Sequence, residues 1–131
     1  MSTAEPREGL LVHNRVDDGV AVVTVTGDVD VATCAALRDS LLQVIAGENF
    51  RGLVVNLAGV SFIDSTGIGV LVGAWRRTKA TDGDLALASP SRQAQSVLDA
   101  TGLTKVLSIY RREEEAVQAL AQPGMPRPAP E

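Results

Sequence analysis

The segment VVNLAGVSFIDSTGIGVLVGAW, residues 54–75, passes from an apolar, strand-like run into a helical one, with Asp64-Ser65-Thr66-Gly67 at the join. A hydroxyl beside a carboxylate and ahead of a glycine, where a helix begins, admits four roles. The serine is a nucleophile, a phosphate binder, a phosphate acceptor or a helix cap. A hydrolytic serine needs a base, and the single histidine, His13, lies in the first strand-like run beside polar Asn14. The G-x-S-x-G elbow is absent, because Ile63-Asp64 precedes Ser65. The Asp-Thr-Gly of aspartic proteases is broken by an inserted residue between Asp64 and Gly67, and the continuation is helical. Gly67-Ile68-Gly69 opens a helix whose free N–H groups attract anions. LAGVSFI intervenes after the strand and no P-loop lysine follows, so this is no nucleotide fingerprint. Asp28 and Asp30 faintly resemble the acidic pocket of an aspartyl phosphoacceptor, but Lys105 precedes its strand instead of following it. Modification and capping stay open for Ser65, at a junction where side chains project from a sheet edge.

The surrounding elements must position that junction. LLVHNRV (10–16) and VAVVTVT (20–26) read as strands joined across Asp17-Asp18-Gly19, a hairpin turn signal. Beyond GDVD the period changes. Cys34, Leu37, Leu41 and Ile45 form the stripe of a helix over about 32–46, with Asp30 as its expected N-cap. LVVNL (53–57) is a continuously apolar strand suited to a sheet centre. From Ser65 the helical period returns, with Ile68, Leu71, Val72 and Trp75 on one face and Gly67, Gly69 and Gly73 expected to let the helix lie close on the sheet. LALA (85–88) is a further strand. Ser89-Pro90 is expected to open the next helix, Ala94, Val97 and Leu98 to line it, and Gly102 to close it. VLSIY (106–110) and EEEAVQAL (113–120) complete the order β-β-α-β-α-β-α-β-α. Strand–helix alternation with right-handed crossovers predicts an α/β fold, a mixed and mostly parallel sheet covered by helices, with one antiparallel pairing from the opening hairpin.

Composition narrows the function classes. The chain has 131 residues, enough for one core, and 45% of them are hydrophobic. Only Phe50, Phe62, Trp75 and Tyr110 are aromatic, so the core must be aliphatic. A net charge of −4 speaks against a nucleic-acid partner. One cysteine, Cys34, permits neither an internal disulfide nor a cysteine metal cluster; it is read as a core residue, as is Trp75. No signal-peptide core and no apolar run of about 20 residues is present, so the expectation is a cytoplasmic protein without direct membrane contact. Arg76, Arg77 and Lys79, and the run 111–115, read as solvated. The expected domain spans 8–121, with 1–7 a short N-terminal extension and 122–131 a disordered proline-rich tail.

Three stretches together, GDVDVATCAALRDSL, VVNLAGVSFIDSTGIGVLVGA and TGLTKVL, resemble the STAS-domain anti-sigma-factor antagonists, the SpoIIAA/RsbV family, over nearly the whole domain. The family pattern entering the first helix falls on Asp28, Val29, Asp30, Thr33 and Leu37-Arg38, with Asp28 where glutamate is commoner. The Asp-Ser-Ser/Thr-Gly-apolar-Gly motif falls on Asp64 to Gly69 without a gap. This resemblance implies the STAS fold, and it implies a partner switch. Its first hydroxyl, Ser65, would be the phosphorylated one. Asp28, Asp30, Asp64, Thr66 and Gly67 would face an anti-sigma factor that is also a serine kinase, using its own ATP and Mg²⁺, and a serine phosphatase would reverse the mark. The chain itself would hold no cofactor and catalyse nothing. The competing readings are a STAS scaffold in which Ser65 only caps its helix, and a small nucleotide- or anion-binding module.

Overall fold

The computed structural model describes residues 3–7, 9–47 and 51–121, the first stretch as backbone alone; the expectation for 122–131 lies outside these residues. Strand β1 (Thr3–Arg7) is followed by β2 (Leu10–Asp17), β3 (Val20–Thr26), helix α1 (Cys34–Gly47), β4 (Gly52–Gly59) and α2 (Ser65–Ala80). The chain continues through β5 (Asp84–Ala88), α3 (Arg92–Ala100), a 3-10 turn (Leu103–Lys105), β6 (Ser108–Tyr110) and α4 (Glu113–Ala121). The six strands lie side by side in chain order. The pairs β1–β2 and β2–β3 are antiparallel, and β3–β4, β4–β5 and β5–β6 are parallel.

Sequential order decides where the helices go. Each parallel connection steps to the next strand in the same direction, so right-handed crossovers put α1, α2 and α3 on one face. Alternation along β4 serves both faces. Leu53, Val55 and Leu57 meet Leu37 and Leu41 of α1, Leu71 of α2 and Leu98 of α3 in one aliphatic core. Val54 points the other way, with Val20, Val22, Ala86 and Ala88, and α4 closes over them through Ala116, Val117 and Leu120. Asn56 lies on this second face too, where its amide donates to Glu113 at 2.8 Å. Glu113 also pairs with Arg15, tying the hairpin to the start of α4.

Two local expectations are corrected. Residues 3–7, taken from the sequence as an extension, form an edge strand in register with β2 from Thr3↔Asn14 to Arg7↔Leu10. An outer strand tolerates Pro6, which pairs with Leu11, because its missing N–H breaks no inner ladder. Ser89 does not cap α3. Its φ of 56° is left-handed. Its N–H and hydroxyl go to the carbonyls of Tyr110 and Arg111, so the helix starts later, and Ser91 caps it by accepting from the Ala94 N–H at 3.1 Å. Arg76, Arg77 and Lys79 are exposed as expected, Gly102 closes the helical turn with a φ of 77°, and Trp75 is only half-buried.

Candidate functional site

The site forms where β3 and β4 end. Their parallel register slips between Thr24 and Thr26, and beyond Gly59 the chains separate. They rejoin through an isolated parallel bridge, Val29↔Ile63. The Val29 N–H donates to the Phe62 carbonyl at 2.8 Å, and the Asp64 N–H donates to the Val29 carbonyl at 3.1 Å. The GDVD loop and the approach to α2 therefore lie side by side. Val29 and Ile63 are buried beneath them, while Asp28, Ser61 and Phe62 face solvent. Alternation of side chains along this short ladder sorts apolar residues inward and acids outward.

Each acid has a defined setting. Asp28 accepts from the Ser61 hydroxyl at 3.1 Å. Asp30 accepts from the N–H groups of Ala32 at 3.0 Å and Thr33 at 3.2 Å, so it shapes the entry to α1 much as the sequence predicts. Thr33 is buried; its hydroxyl donates to the Asp28 carbonyl at 2.8 Å and accepts from the Asp30 N–H at 3.0 Å. These bonds lock the loop that carries both acids.

Asp64, not Ser65, caps α2. Its carboxylate accepts from the backbone N–H of Thr66 at 3.0 Å and of Gly67 at 3.2 Å, and the Thr66 hydroxyl donates to it as well. The Thr66 hydroxyl first, then these two amides, hold the Asp64 carboxyl below the usual aspartate range. Ser65 follows as the first residue of the helix. It is exposed, and among the described residues its hydroxyl has no hydrogen-bond partner. Gly67 is buried below the rim; a Cβ there would stand 2.6 Å from Val29 Cγ1 and 2.7 Å from Ile63 Cγ1. Its hydrogen is what lets α2 start directly on the bridge. Gly69 and Gly73 differ from expectation: added Cβ atoms would meet nothing, so they do not serve packing on the sheet.

Sequence reasoning missed three participants. Gln93 of α3 accepts from the Ile63 N–H at 2.9 Å and donates to the Ile63 carbonyl at 2.8 Å, clamping the residue just before Asp64. Nothing in its local pattern announces a contact 30 residues away. Val31 and Phe62 are apolar yet 75% and 42% exposed, and they flank the acids. Their placement in loops between helical and strand periods was the available signal. Among the described residues no group of three or more His, Cys, Asp or Glu could hold a metal ion, and no helix is long and apolar enough to cross a membrane.

Residues 12–116 match the family model described as the STAS domain. The chain belongs to the STAS domain family. An anti-sigma-B factor antagonist of Bacillus subtilis is 34% identical over 96 residues, which are 73% of this chain and 86% of that one. The crystal structure of an anti-sigma factor antagonist from Mycobacterium paratuberculosis superposes with a TM-score of 0.80 at 24% identity, over 90% of this chain and 99% of the other. The unphosphorylated form of the antagonist SpoIIAA superposes with a TM-score of 0.69, also at 24% identity, over 90% and 94%. These likenesses establish the STAS fold, and the B. subtilis relative places the chain among sequences carrying the antagonist name. The surface where the GDVD loop meets the start of α2 is the candidate site on this chain.

Proposed function

We infer that this STAS domain is an anti-sigma-factor antagonist that works by partner switching, with Ser65 as its phosphoacceptor. Unphosphorylated, it binds an anti-sigma factor that is also a serine kinase, and so frees the sigma factor. It is ligand and substrate, not catalyst. The observation that carries the assignment is the contrast between two neighbouring hydroxyls. Thr66 spends its proton on the Asp64 cap, whereas the Ser65 hydroxyl is exposed and unengaged among the described residues. An acceptor must be free to reach the γ-phosphorus, and Ser65 is.

Transfer requires the Ser65 oxygen to attack the γ-phosphorus of the kinase's ATP as the bond to the bridging oxygen breaks. ADP leaves, and the hydroxyl proton passes to a base on the kinase. The product adds about −1.5 to −2 charges at the first residue of a helix. That end of the helix dipole accommodates negative charge, so the fold tolerates the mark. The interface does not. The new phosphate faces the nucleotide phosphates it came from, and one unit charge at about 6 Å costs roughly 2–3 kcal/mol at an effective dielectric near 20. That is about a hundredfold in affinity. A serine phosphatase resets the switch.

The test combines three variants with the kinase, Mg²⁺-ATP and mass-spectrometric mapping. Ser65→Ala is expected to take up no phosphate and to stay bound when ATP is present. Thr66→Ala is expected to remain a substrate, and Ser65→Asp to fold normally and bind weakly. Phosphate on Thr66 in the Ser65→Ala protein, at wild-type extent, would move the acceptor by one residue. Wild-type binding by both Ser65 variants would leave a scaffold.

A further inference from the structure

The groove between α1 and α2 begins at Thr66, beside the acceptor, and extends to Arg77 with a volume of about 430 Å³. Eleven residues of helix rise about 16 Å, the length of three turns. Leu42 of α1 and Val70 of α2, both half-buried, give it apolar walls. Along α2 the wall is low at two positions one turn apart, because Gly69 and Gly73 both face the groove, and a Cβ at either would meet nothing within 4 Å. Glycine inside a helix is unfavourable relative to alanine. Gly67 has a packing reason within the chain; Gly69 and Gly73 have none. Their effect is to leave the groove open along α2.

The charges along this channel are ordered. Its head adjoins Asp64, while exposed Arg38 and Arg77 border its length. Among the described residues Arg38 forms an ion pair with the adjacent Asp39 alone, at 3.9 Å, and Arg77 forms none. A segment lying here with its basic end at the head and carboxylates against the two guanidinium groups would match both poles. The groove is also continuous, through Thr66, with the surface assigned to the kinase.

Resting on the function proposed above, we propose that the α1–α2 groove seats an amphipathic helix of the anti-sigma partner. Its apolar face packs where Gly69 and Gly73 leave room, and its acidic residues meet Arg38 and Arg77. The groove extends the interface away from Ser65, so affinity and phosphorylation chemistry draw on different residues.

The experiment titrates the full chain, by calorimetry with ADP present, against each serine-kinase anti-sigma factor encoded in the source genome, and carries forward the tightest binder. Gly73→Leu and Arg77→Glu are each expected to weaken it about tenfold or more. Gly73→Ala is expected to weaken binding less while raising the melting temperature by about 3–5 °C, because only helix propensity acts in the free chain. Asp28→Lys tests the acidic rim, and Arg111→Glu on the opposite face should change nothing. Wild-type binding by Gly73→Leu and Arg77→Glu alongside weakened Asp28→Lys would overturn the groove and leave the function standing. Absence of binding by the wild-type chain to every kinase would overturn the function itself. Loss of self-association, with kinase binding intact, would assign the groove to a second copy and overturn the proposal.

Discussion

At the scale of the residue, Asp64 and Ser65 divide two tasks that one side chain cannot perform together. A capping oxygen must stay aimed at the first amides of its helix, while an acceptor oxygen must be free to leave for an incoming phosphorus. Asp64 takes the first task through Thr66 and Gly67, which leaves Ser65 free for the second in the function proposed above. The cap has a pH signature. The Thr66 hydroxyl and the two amides lower the folded carboxyl's pKa, so the stabilisation it provides is complete above about pH 4, the unfolded aspartate value, and is lost as pH falls through the lowered one. Asparagine still caps but does not titrate. Asp64→Asn is therefore expected to flatten the acid limb of stability below about pH 4, measured as urea midpoints from pH 6 to pH 2. Parallel wild-type and variant curves would show that the carboxylate does not contribute there. The sequence made this cluster visible, because Asp, Ser, Thr and Gly in succession mark a helix start. It offered Ser65 as the cap, and the structure gives that role to Asp64, since both types serve and only the backbone's actual turn into the helix selects one.

At the scale of the element, the site depends on a strand pairing that resumes after a gap. The Val29↔Ile63 bridge carries acids from two loops, and α2 begins directly upon it. Gly67 is where helix and bridge touch. Gly67→Ala would place a methyl 2.6 Å from buried Val29 and 2.7 Å from buried Ile63. Neither neighbour can swing into solvent, so overpacking is expected to destabilise the domain by about 1–3 kcal/mol, read by chemical denaturation. It should also lift the start of α2 and slow phosphorylation of Ser65. A variant as stable as the parent would mean that the helix slides freely on the bridge. The helices and central strands were legible because their periods are strong: Leu37 and Leu41, Ile68 and Leu71, and Ala94 and Leu98 are buried as the spacing predicts. The edge strand Thr3–Arg7 was not. TAEPR has neither alternation nor β-branched residues beyond Thr3, and it is a strand only because β2 offers it an unpaired edge.

For the whole molecule, β1 turns that edge into an interior ladder. The sheet's second face is covered by α4 over β3 to β6, while Leu11 on β2 remains 39% exposed. Deleting residues 1–7 would make β2 the outer strand, with unpaired amides beside an exposed leucine. Such an edge templates association. The truncated chain is expected to show a lower urea midpoint and concentration-dependent light scattering, with the truncation's effect largest at high protein concentration. Equal midpoints and scattering would show that β1 contributes only pairing that water replaces.

The local code by itself determined the alternation of strands and helices, the aliphatic core, the hairpin at Asp17-Asp18-Gly19 and the candidate cluster from Asp64 to Gly67. Those follow from periodicity and from the backbone preferences of a few residue types, which act over three or four positions. Tertiary structure decided the rest. It set Asp28 against Ser61, clamped Ile63 with Gln93, joined Arg15 and Asn56 to Glu113 and left a channel between α1 and α2. Those contacts connect residues 30 to 98 positions apart, or two helices placed by the sheet between them. No local pattern specifies such pairs, because their distance exists only once the crossovers have stacked the strands in order.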